Sequence, residues 1–346
     1  MAIRVLVVDD SITARTVISQ ILNAEPDIEV IATAPDPFVA RDKVIDLSPD
    51  VICLDVEMPR MDGVTFLRKL MQYKPTPVVM CSSLTRDGAK TTLDALEAGA
   101  VDFVTKPHAN IYSGGDEIGK ELVEKVRAAA SARVRQKIPP AEVKIASLAA
   151  LFETTQKLIA IGASTGGTEA LKEVLIRLPR NTPGIVIVQH MPASFTGPFA
   201  QRLDSLCEID VKEAKDGDSV VMSQALIAPG DRHMVLRRSG ARYHVELGGG
   251  EKVSGHRPSV DVLFHSVAHC AGHNAVGVIL TGMGGDGARG MLDMHQQGAR
   301  TIAQDEKSCV VFGMPKVAIE LGGVDRVVSL ELIPQAALQF IAEISR

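Results

Sequence analysis

Tryptophan is missing from this 346-residue chain, and aromatic residues make up only 3 % of it. A surface that binds nucleic acid by stacking bases needs exposed rings, so the composition argues against one. A basic excess is missing too. Lys and Arg number 37 against 42 Asp and Glu, and the net charge of -5 gives no general attraction to nucleic acid or to an anionic membrane. No apolar run approaches the roughly 18 residues that span a bilayer, so direct membrane insertion is not expected. The opening residues, MAIRVLVVDD, turn acidic too early for the apolar core of a secretion signal. The five cysteines, Cys53, Cys81, Cys207, Cys270 and Cys309, include no C-x-x-C pair. An odd, scattered set without a secretion signal reads as reduced thiols in the cytoplasm. What is present is ordinary for a globular chain: 46 % hydrophobic and 23 % charged residues, and enough length for two cores.

The stretch Leu158–Gly167, LIAIGASTGG, organises the second half. Leu158 to Ile161 read as a buried parallel strand. Apolar residues at helical spacing follow the glycines: Ala170, Leu171, Val174, Leu175 and Leu178. Ser164 therefore sits on a turn from strand to helix. Gly162-x-Ser164-x-Gly166 fits a nucleophile elbow, in which glycines allow a sharp turn that exposes a serine hydroxyl. The same turn fits a phosphate-binding loop, and Ser164 fits a simple helix cap. This stretch alone leaves the three open.

The first half alternates strands and helices. Strands are expected at Arg4–Val8, Ile28–Ala32, Val51–Leu54, Pro77–Cys81 and Val101–Val104. Helices are expected from Ser11 to about Asn23 and at Phe38–Leu47, Val64–Met71 and Asp87–Ala98. That pattern predicts a doubly wound parallel sheet. Asp9, Asp10, Asp55, Ser82 and Lys106 all fall at strand carboxyl ends, where open α/β sheets place their sites. Three converging carboxylates would repel one another, so a divalent cation is expected, and oxygen ligands suit Mg²⁺. A carboxylate beside a metal and a lysine can attack a phosphoryl group, and Ser82 can donate to a phosphoryl oxygen.

Residues Met1 to about Arg127 resemble the response-regulator receiver domain. The resemblance is carried by Asp9-Asp10, Asp55 followed by Met58-Pro59 and Met61-Asp62-Gly63, Ser82, and Lys106-Pro107. It implies a five-stranded flavodoxin-like fold, Mg²⁺ on Asp10 and Asp55 with Asp9 close by, and phosphorylation of Asp55 by a histidine kinase's phosphohistidine. It places Phe103 at an aromatic switch position beside Ser82 and Lys106. The Lys106–Pro107 bond is of the type that admits the cis form.

A helix is expected from Ile118 to Arg135, after which Arg133, Arg135, Lys137 and Lys144 meet few acids and Pro139-Pro140 breaks any helix. The expected organisation is a receiver domain at 1–129, a linker at 130–153 and a second, mostly parallel Rossmann-like α/β domain at 154–346. In that domain Ile185–Val188 is a strand ending in Gln189-His190. A dinucleotide site would want an acid there to hold a ribose. Val276–Leu280 runs into Thr281-Gly282-Met283-Gly284-Gly285-Asp286-Gly287. Short strands are expected at Val211–Lys215, Ala225–Ala228, Thr301–Ala303 and Arg326–Val328. A hairpin is expected from Met234–Arg237 with Tyr243–Leu247. Helices are expected around Pro198–Asp204, at Asp261–Ala271 and at Pro334–Ile344.

Three strand ends thus supply Ser164, His190 and Asp286. A serine hydroxyl needs a base, and the base needs a carboxylate that holds its tautomer. The order Ser…His…Asp differs from that of the α/β-hydrolases. Asp261, His265, His269 and His273 recur every four residues on one helix and offer zinc-type ligands. That stripe drifts around the helix, and H-E-x-x-H is missing.

Residues from about Gln156 to Glu320 resemble the catalytic domain of the chemotaxis protein-glutamate methylesterases. The motifs are IGASTGG, IVIVQHMP, IAPGDRHM, HRPSVDVLF, ILTGMGGDGARGM and TIAQDE…FGMPKVA. The resemblance implies Ser164 as nucleophile, His190 as base and Asp286 as its partner, with Thr165 and the Met283 loop bordering the oxyanion site. It implies a glutamyl methyl ester on a chemoreceptor's cytoplasmic helices as substrate, deamidation of receptor glutamines, and no cofactor for the ester reaction. It also implies that the receiver restrains the esterase until phosphorylated. The rival readings are a non-catalytic output domain that binds a nucleotide or a partner, and a nucleotide-dependent oxidoreductase.

Overall fold

Apolar strands that alternate with amphipathic helices build both halves of the chain. The computed structural model describes residues 2–82, 86–106, 117–132 and 157–344. The chain divides into two compact units, Met1–Pro139 and Pro140–Arg346.

The first unit runs β1 (Ile3–Val8), α1 (Ile12–Asn23), β2 (Ile28–Ala34), α2 (Pro37–Leu47), β3 (Val51–Asp55), α3 (Gly63–Tyr73), β4 (Val78–Ser82), α4 (Arg86–Glu97), β5 (Asp102–Thr105) and α5 (Glu117–Ser131). Its five strands are parallel in the order β2-β1-β3-β4-β5. Every residue of β3 and β4 is buried. Helices on both faces of the sheet require such unbroken apolar runs. Acidic and hydroxyl caps start the helices: Ser11 accepts from the Ala14 N–H, Asp36 from Phe38 and Val39, and Asp62 from Thr65. The strand order reverses between β1 and β3, so their carboxyl ends open the crevice where α/β sheets bind ligands.

The second unit runs β6 (Leu158–Ala163), α6 (Gly167–Leu175), β7 (Gly184–Gln189), α7 (Ala193–Asp204), β8 (Asp210–Glu213), β9 (Gln224–Ile227), β10 (His233–Ser239), β11 (Arg242–Gly248), α8 (Val260–Ala271), β12 (Ala275–Ile279), α9 (Ala288–Gln296), β13 (Arg300–Gln304), α10 (Met314–Glu320), β14 (Arg326–Val328) and α11 (Ile333–Glu343). Seven strands pair in parallel in the order β14-β13-β12-β6-β7-β9-β8, and β10 with β11 forms a separate antiparallel hairpin. Here the order reverses between β6 and β12. The core below this edge includes Leu158, Val186, Leu226, Leu263, Phe264 and Met291.

Two elements differ from the sequence reading. Helix α7 begins at Ala193, ahead of the expected start at Pro198, and carries that proline inside it. Proline removes one amide and crowds the preceding turn. Burial of Phe195, Thr196, Phe199, Ala200 and Leu203 on one face outweighs that loss. Helix α10 was not foreseen; it is one short segment with Pro315 in its first turn. The Lys106–Pro107 bond and linker residues 133–156 lie outside the described residues, and α5 extends to Ser131. No described helix is long and apolar enough to cross a membrane.

Phe264 is wholly buried on α8, which packs between α9 and β10. Phe264→Ala should destabilise this unit by about 3–5 kcal/mol, read from urea denaturation followed by circular dichroism. A loss below about 1 kcal/mol would show that α8 is held by other contacts.

Candidate active site and phosphoacceptor site

Ser164 leaves the end of β6 and turns at once into α6. Its amide donates to the Thr281 carbonyl (3.0 Å), and its carbonyl accepts the Gly167 N–H (2.7 Å). Gly166 takes a φ of 75°, a left-handed conformation that glycine adopts without strain. Gly282 lets the neighbouring loop come close, since a Cβ there would stand 2.7 Å from the Ser164 Cβ. Thr281 stitches the two loops together. Its hydroxyl lies 3.0 Å from the Thr165 carbonyl oxygen, 3.1 Å from the Val311 carbonyl oxygen and 3.0 Å from the Val311 amide.

His190 follows β7, the neighbour of β6. Its Nδ1 lies 3.1 Å from Ser164 Oγ, and its Nε2 lies 2.8 Å from Asp286 Oδ2. The ring therefore donates Nε2–H to the carboxylate and keeps the Nδ1 lone pair for the hydroxyl. Asp286, after β12, is 2 % exposed and lies at the N-terminus of α8. It accepts Ser259 Oγ (2.7 Å) and the Asp261 N–H (3.1 Å) on Oδ1, and the Val260 N–H (2.7 Å) on Oδ2. Burial alone would raise its pKa. The contacts from His190, Ser259 and Val260 outweigh burial and hold the carboxyl below its usual range.

Ser164, His190 and Asp286 therefore meet at the carboxyl edge of the sheet, around its switch point. Thr165 is buried beneath the turn, and Met283 is exposed at the rim. A cleft of about 380 Å³ beside Asp286 is lined by His256, Met283, Arg289, Val317 and Leu321. The histidine stripe gathers no metal site among the described residues: His273 lies beyond the end of α8, Asp261 accepts the Gly290 N–H, and His265 pairs with Asp293 at 2.5 Å. Three residues beside the site had no role in the sequence reading. Ser259 donates to Asp286, His256 stacks on His190 with ring centroids 3.7 Å apart, and Gln189 donates to two carbonyls. Each lies within a quoted motif, HRPSVDVLF or IVIVQHMP, which was the available signal.

In the first unit Asp9, Asp10 and Asp55 bring one carboxylate oxygen each within 4.8 Å of the others, the only such group among the described residues. Asp9 and Asp55 are 1 % exposed. Asp9 Oδ1 accepts the Ser11 N–H (2.8 Å), and Asp55 Oδ1 accepts the Glu57 N–H (3.2 Å). The Lys106 ammonium forms ion pairs with Asp9 Oδ2 (2.8 Å) and Asp55 Oδ2 (2.7 Å). Three clustered carboxylates with a single ammonium paired to two of them leave an excess of negative charge that fits a hard divalent cation. Burial pushes the Asp55 carboxyl up to about 6, with the Asp9 charge adding to the rise and Lys106 opposing it. Burial pulls the Lys106 ammonium down, but Asp55 and Asp9 outweigh it and raise its pKa. The buried Ser82 hydroxyl lies 2.7 Å from Thr92 Oγ1 on α4. Phe103 is buried, with the Lys125 ammonium 4.8 Å from its ring centroid.

The sequence matches the CheB methylesterase family over residues 159–337 and the response regulator receiver domain over residues 5–111. It is 61 % identical over 350 residues to the protein-glutamate methylesterase/protein-glutamine glutaminase of Sulfurimonas denitrificans, covering 99 % of each chain. It is 58 % identical over 345 residues to protein-glutamate methylesterase/protein-glutamine glutaminase 2 of Syntrophus aciditrophicus, covering 98 % of this chain and 99 % of that one. The crystal structure of the Thermotoga maritima CheB methylesterase catalytic domain aligns with a TM-score of 0.52 at 42 % identity, over 53 % of this chain and 97 % of that chain. A strand-end serine, histidine and aspartate in hydrogen-bonded series, behind a receiver-type acid cluster, thus coincide with these matches: the chain belongs to the CheB methylesterase family and carries a response regulator receiver domain.

Proposed function

We propose that this enzyme hydrolyses glutamyl methyl esters, and deamidates glutamines, on the cytoplasmic helices of methyl-accepting chemoreceptors, under control of phosphorylation at Asp55. The observation that carries the reading is the series Ser164 Oγ–His190 Nδ1–Asp286 Oδ2, at 3.1 and 2.8 Å. A binding-only output domain has no use for a serine aligned on a base that a buried carboxylate orients.

Ser164 Oγ attacks the γ-carbonyl carbon while His190 Nδ1 takes its proton. The imidazolium is held by Asp286. The oxyanion faces backbone N–H groups of Thr165 and the Met283 loop. As the tetrahedral intermediate collapses, the C–O bond to methanol breaks and His190 returns its proton to the leaving oxygen. Water then attacks the acyl-enzyme carbonyl as His190 takes its proton, and when the acyl C–O bond to Ser164 breaks His190 returns that proton to Ser164 Oγ, releasing glutamate. In deamidation ammonia departs in place of methanol.

In the receiver, Asp55 takes a phosphoryl group from a histidine kinase's phosphohistidine. Asp9, Asp10 and Asp55 are the residues that would hold Mg²⁺, which neutralises charge on the phosphoryl oxygens. Lys106 supplies a second positive charge. Ser82 exchanges Thr92 for a phosphoryl oxygen, and with Phe103 it relays the change. The site of action is the cytoplasm.

Ser164→Ala should lower methanol release from methylated receptor membranes at least about 10⁴-fold, with an unchanged melting curve. Near-normal turnover would sink the nucleophile assignment. Asp286→Asn should be roughly 10- to 100-fold less damaging than His190→Ala, because the base remains when its orienting group is weakened. Equal losses would place Asp286 outside this role.

Acetyl phosphate should label the full chain and raise methanol release. Both effects should vanish in Asp55→Ala and on chelating Mg²⁺. Labelling of the Asp55→Ala protein would point to another acceptor. The Asp55 carboxyl, followed by carbon NMR without Mg²⁺, should titrate near the raised value of about 6. A raised acid pKa means that the carboxylate, the nucleophilic form, is lost as pH falls through this value. Added Mg²⁺ favours the ionised form and should move the midpoint down. A midpoint indifferent to Mg²⁺ would contradict the ligand assignment.

A further inference from the structure

Ser259 starts α8 and is wholly buried. A serine at this position ordinarily turns its oxygen onto an amide of the first helical turn. Here that bond, from the Val262 N–H, is 3.4 Å long, beyond the usual range of about 2.7–3.2 Å. The first two helical amides go elsewhere: the Val260 N–H donates to Asp286 Oδ2 at 2.7 Å, and the Asp261 N–H to Asp286 Oδ1 at 3.1 Å. A carboxylate from the loop after β12 therefore caps the helix. The Ser259 hydroxyl makes its short bond to that same carboxylate, donating to Oδ1 at 2.7 Å. Its backbone is held separately. The Ser259 N–H donates to His233 Nδ1 at 3.2 Å, and His233 Nε2–H donates to the Glu251 carbonyl at 2.9 Å. The hydroxyl can thus be removed without freeing the chain that carries it.

The Asp286 carboxylate accepts two donors on each oxygen. Oδ1 takes the Ser259 hydroxyl and the Asp261 N–H, and Oδ2 takes the Val260 N–H and His190 Nε2–H. These fill the four lone-pair positions of a carboxylate. The torsion that turns a carboxylate about its own axis is broad, so its plane is set by its partners. Without the Ser259 hydroxyl, Oδ1 keeps only the Asp261 N–H, the longest of the four bonds. The plane can then turn, and Oδ2 leaves the line of His190 Nε2–H. The imidazole is rigid, so a tilt at Nε2 is carried to Nδ1, which faces Ser164 Oγ at 3.1 Å. We infer that Ser259 is a positioning residue: its hydroxyl sets the plane of Asp286, and through it the tilt of the His190 ring toward the serine. The inference rests on the serine-hydrolase reading above.

Two variants of the full chain test it. Ser259→Ala and Ser259→Gly both remove the donor, but glycine is the better start for a helix. In both, kcat for methanol release should fall about 10- to 100-fold, the range for losing a hydrogen bond to a charged group. KM should stay within about twofold, because a wholly buried hydroxyl meets no substrate. Inactivation by a serine-directed organofluorophosphate should slow by a similar factor, since it needs the same base. The downfield proton resonance of His190 Nε2–H, bonded to the carboxylate, should weaken or move upfield in both variants. A serine that served only as a helix cap would behave differently. Ser259→Ala would then melt lower than Ser259→Gly, while kcat below the melting range and the His190 resonance stayed at their parent values. If Ser259→Ala does not melt cooperatively, Ser259→Gly decides. A kcat within about twofold of the parent in a folded variant overturns the inference, as does a lower kcat with an unchanged His190 resonance. Full turnover by Ser164→Ala would overturn the underlying serine reading instead, whatever the Ser259 variants do.

Discussion

A buried carboxylate must find donors or take a proton, and Asp286 finds four. The amides of Val260 and Asp261 and the hydroxyl of Ser259 come from the start of α8, and the ring Nε2–H of His190 comes from the end of β7. A helix N-terminus favours a negative charge in any case. One ionised group thereby fixes how a helix sits on the sheet and which nitrogen of His190 faces the serine. Withdrawing one of these donors would leave the buried charge less well compensated, and burial makes that loss costly. Structure and chemistry share that carboxylate, so its environment is less free to vary than a surface acid's.

The acid cluster of the receiver shows the opposite design. Its carboxylates are only partly neutralised, and burial drives the Asp55 proton affinity upward when it would drop beside a fully paired partner. A site in this condition gains from any added positive charge. The contrast shows that two similar sheets hold their buried acids in opposite electrostatic conditions at the same edge. In one, donors saturate an acid that never leaves its place. In the other, three clustered acids share one ammonium and keep an excess of negative charge.

Much of this was legible along the chain because parallel sheets concentrate function where strands stop. Ser164, His190, Asp9 and Asp55 each follow or end an apolar run, and Asp286 lies in a glycine-rich loop just beyond another. Sequence order cannot reveal which loops touch, so the contacts that complete the site stayed hidden. Ser259 reaches Asp286 across 27 positions. Gln189 looked informative only for lacking the acid of a dinucleotide site, whereas its value lies in two hydrogen bonds visible only in three dimensions. The early start of α7 was missed for a related reason: proline reads as a boundary locally, and only tertiary burial of Phe195 and Phe199 overrides it.

The central pairing of the second sheet joins Leu158 to Ala275 and Gly162 to Ile279. The serine lies at the start of that long excursion and the aspartate just past its end, with the histidine between. A growing chain therefore contains Ser164 and His190 well before Asp286 has been made. Contacts this distant in sequence form late, because the intervening loop must be closed before they gain anything. The Ser164–His190–Asp286 series thus joins residues far apart in the chain, and a chain that stops before Asp286 leaves His190 without its carboxylate partner.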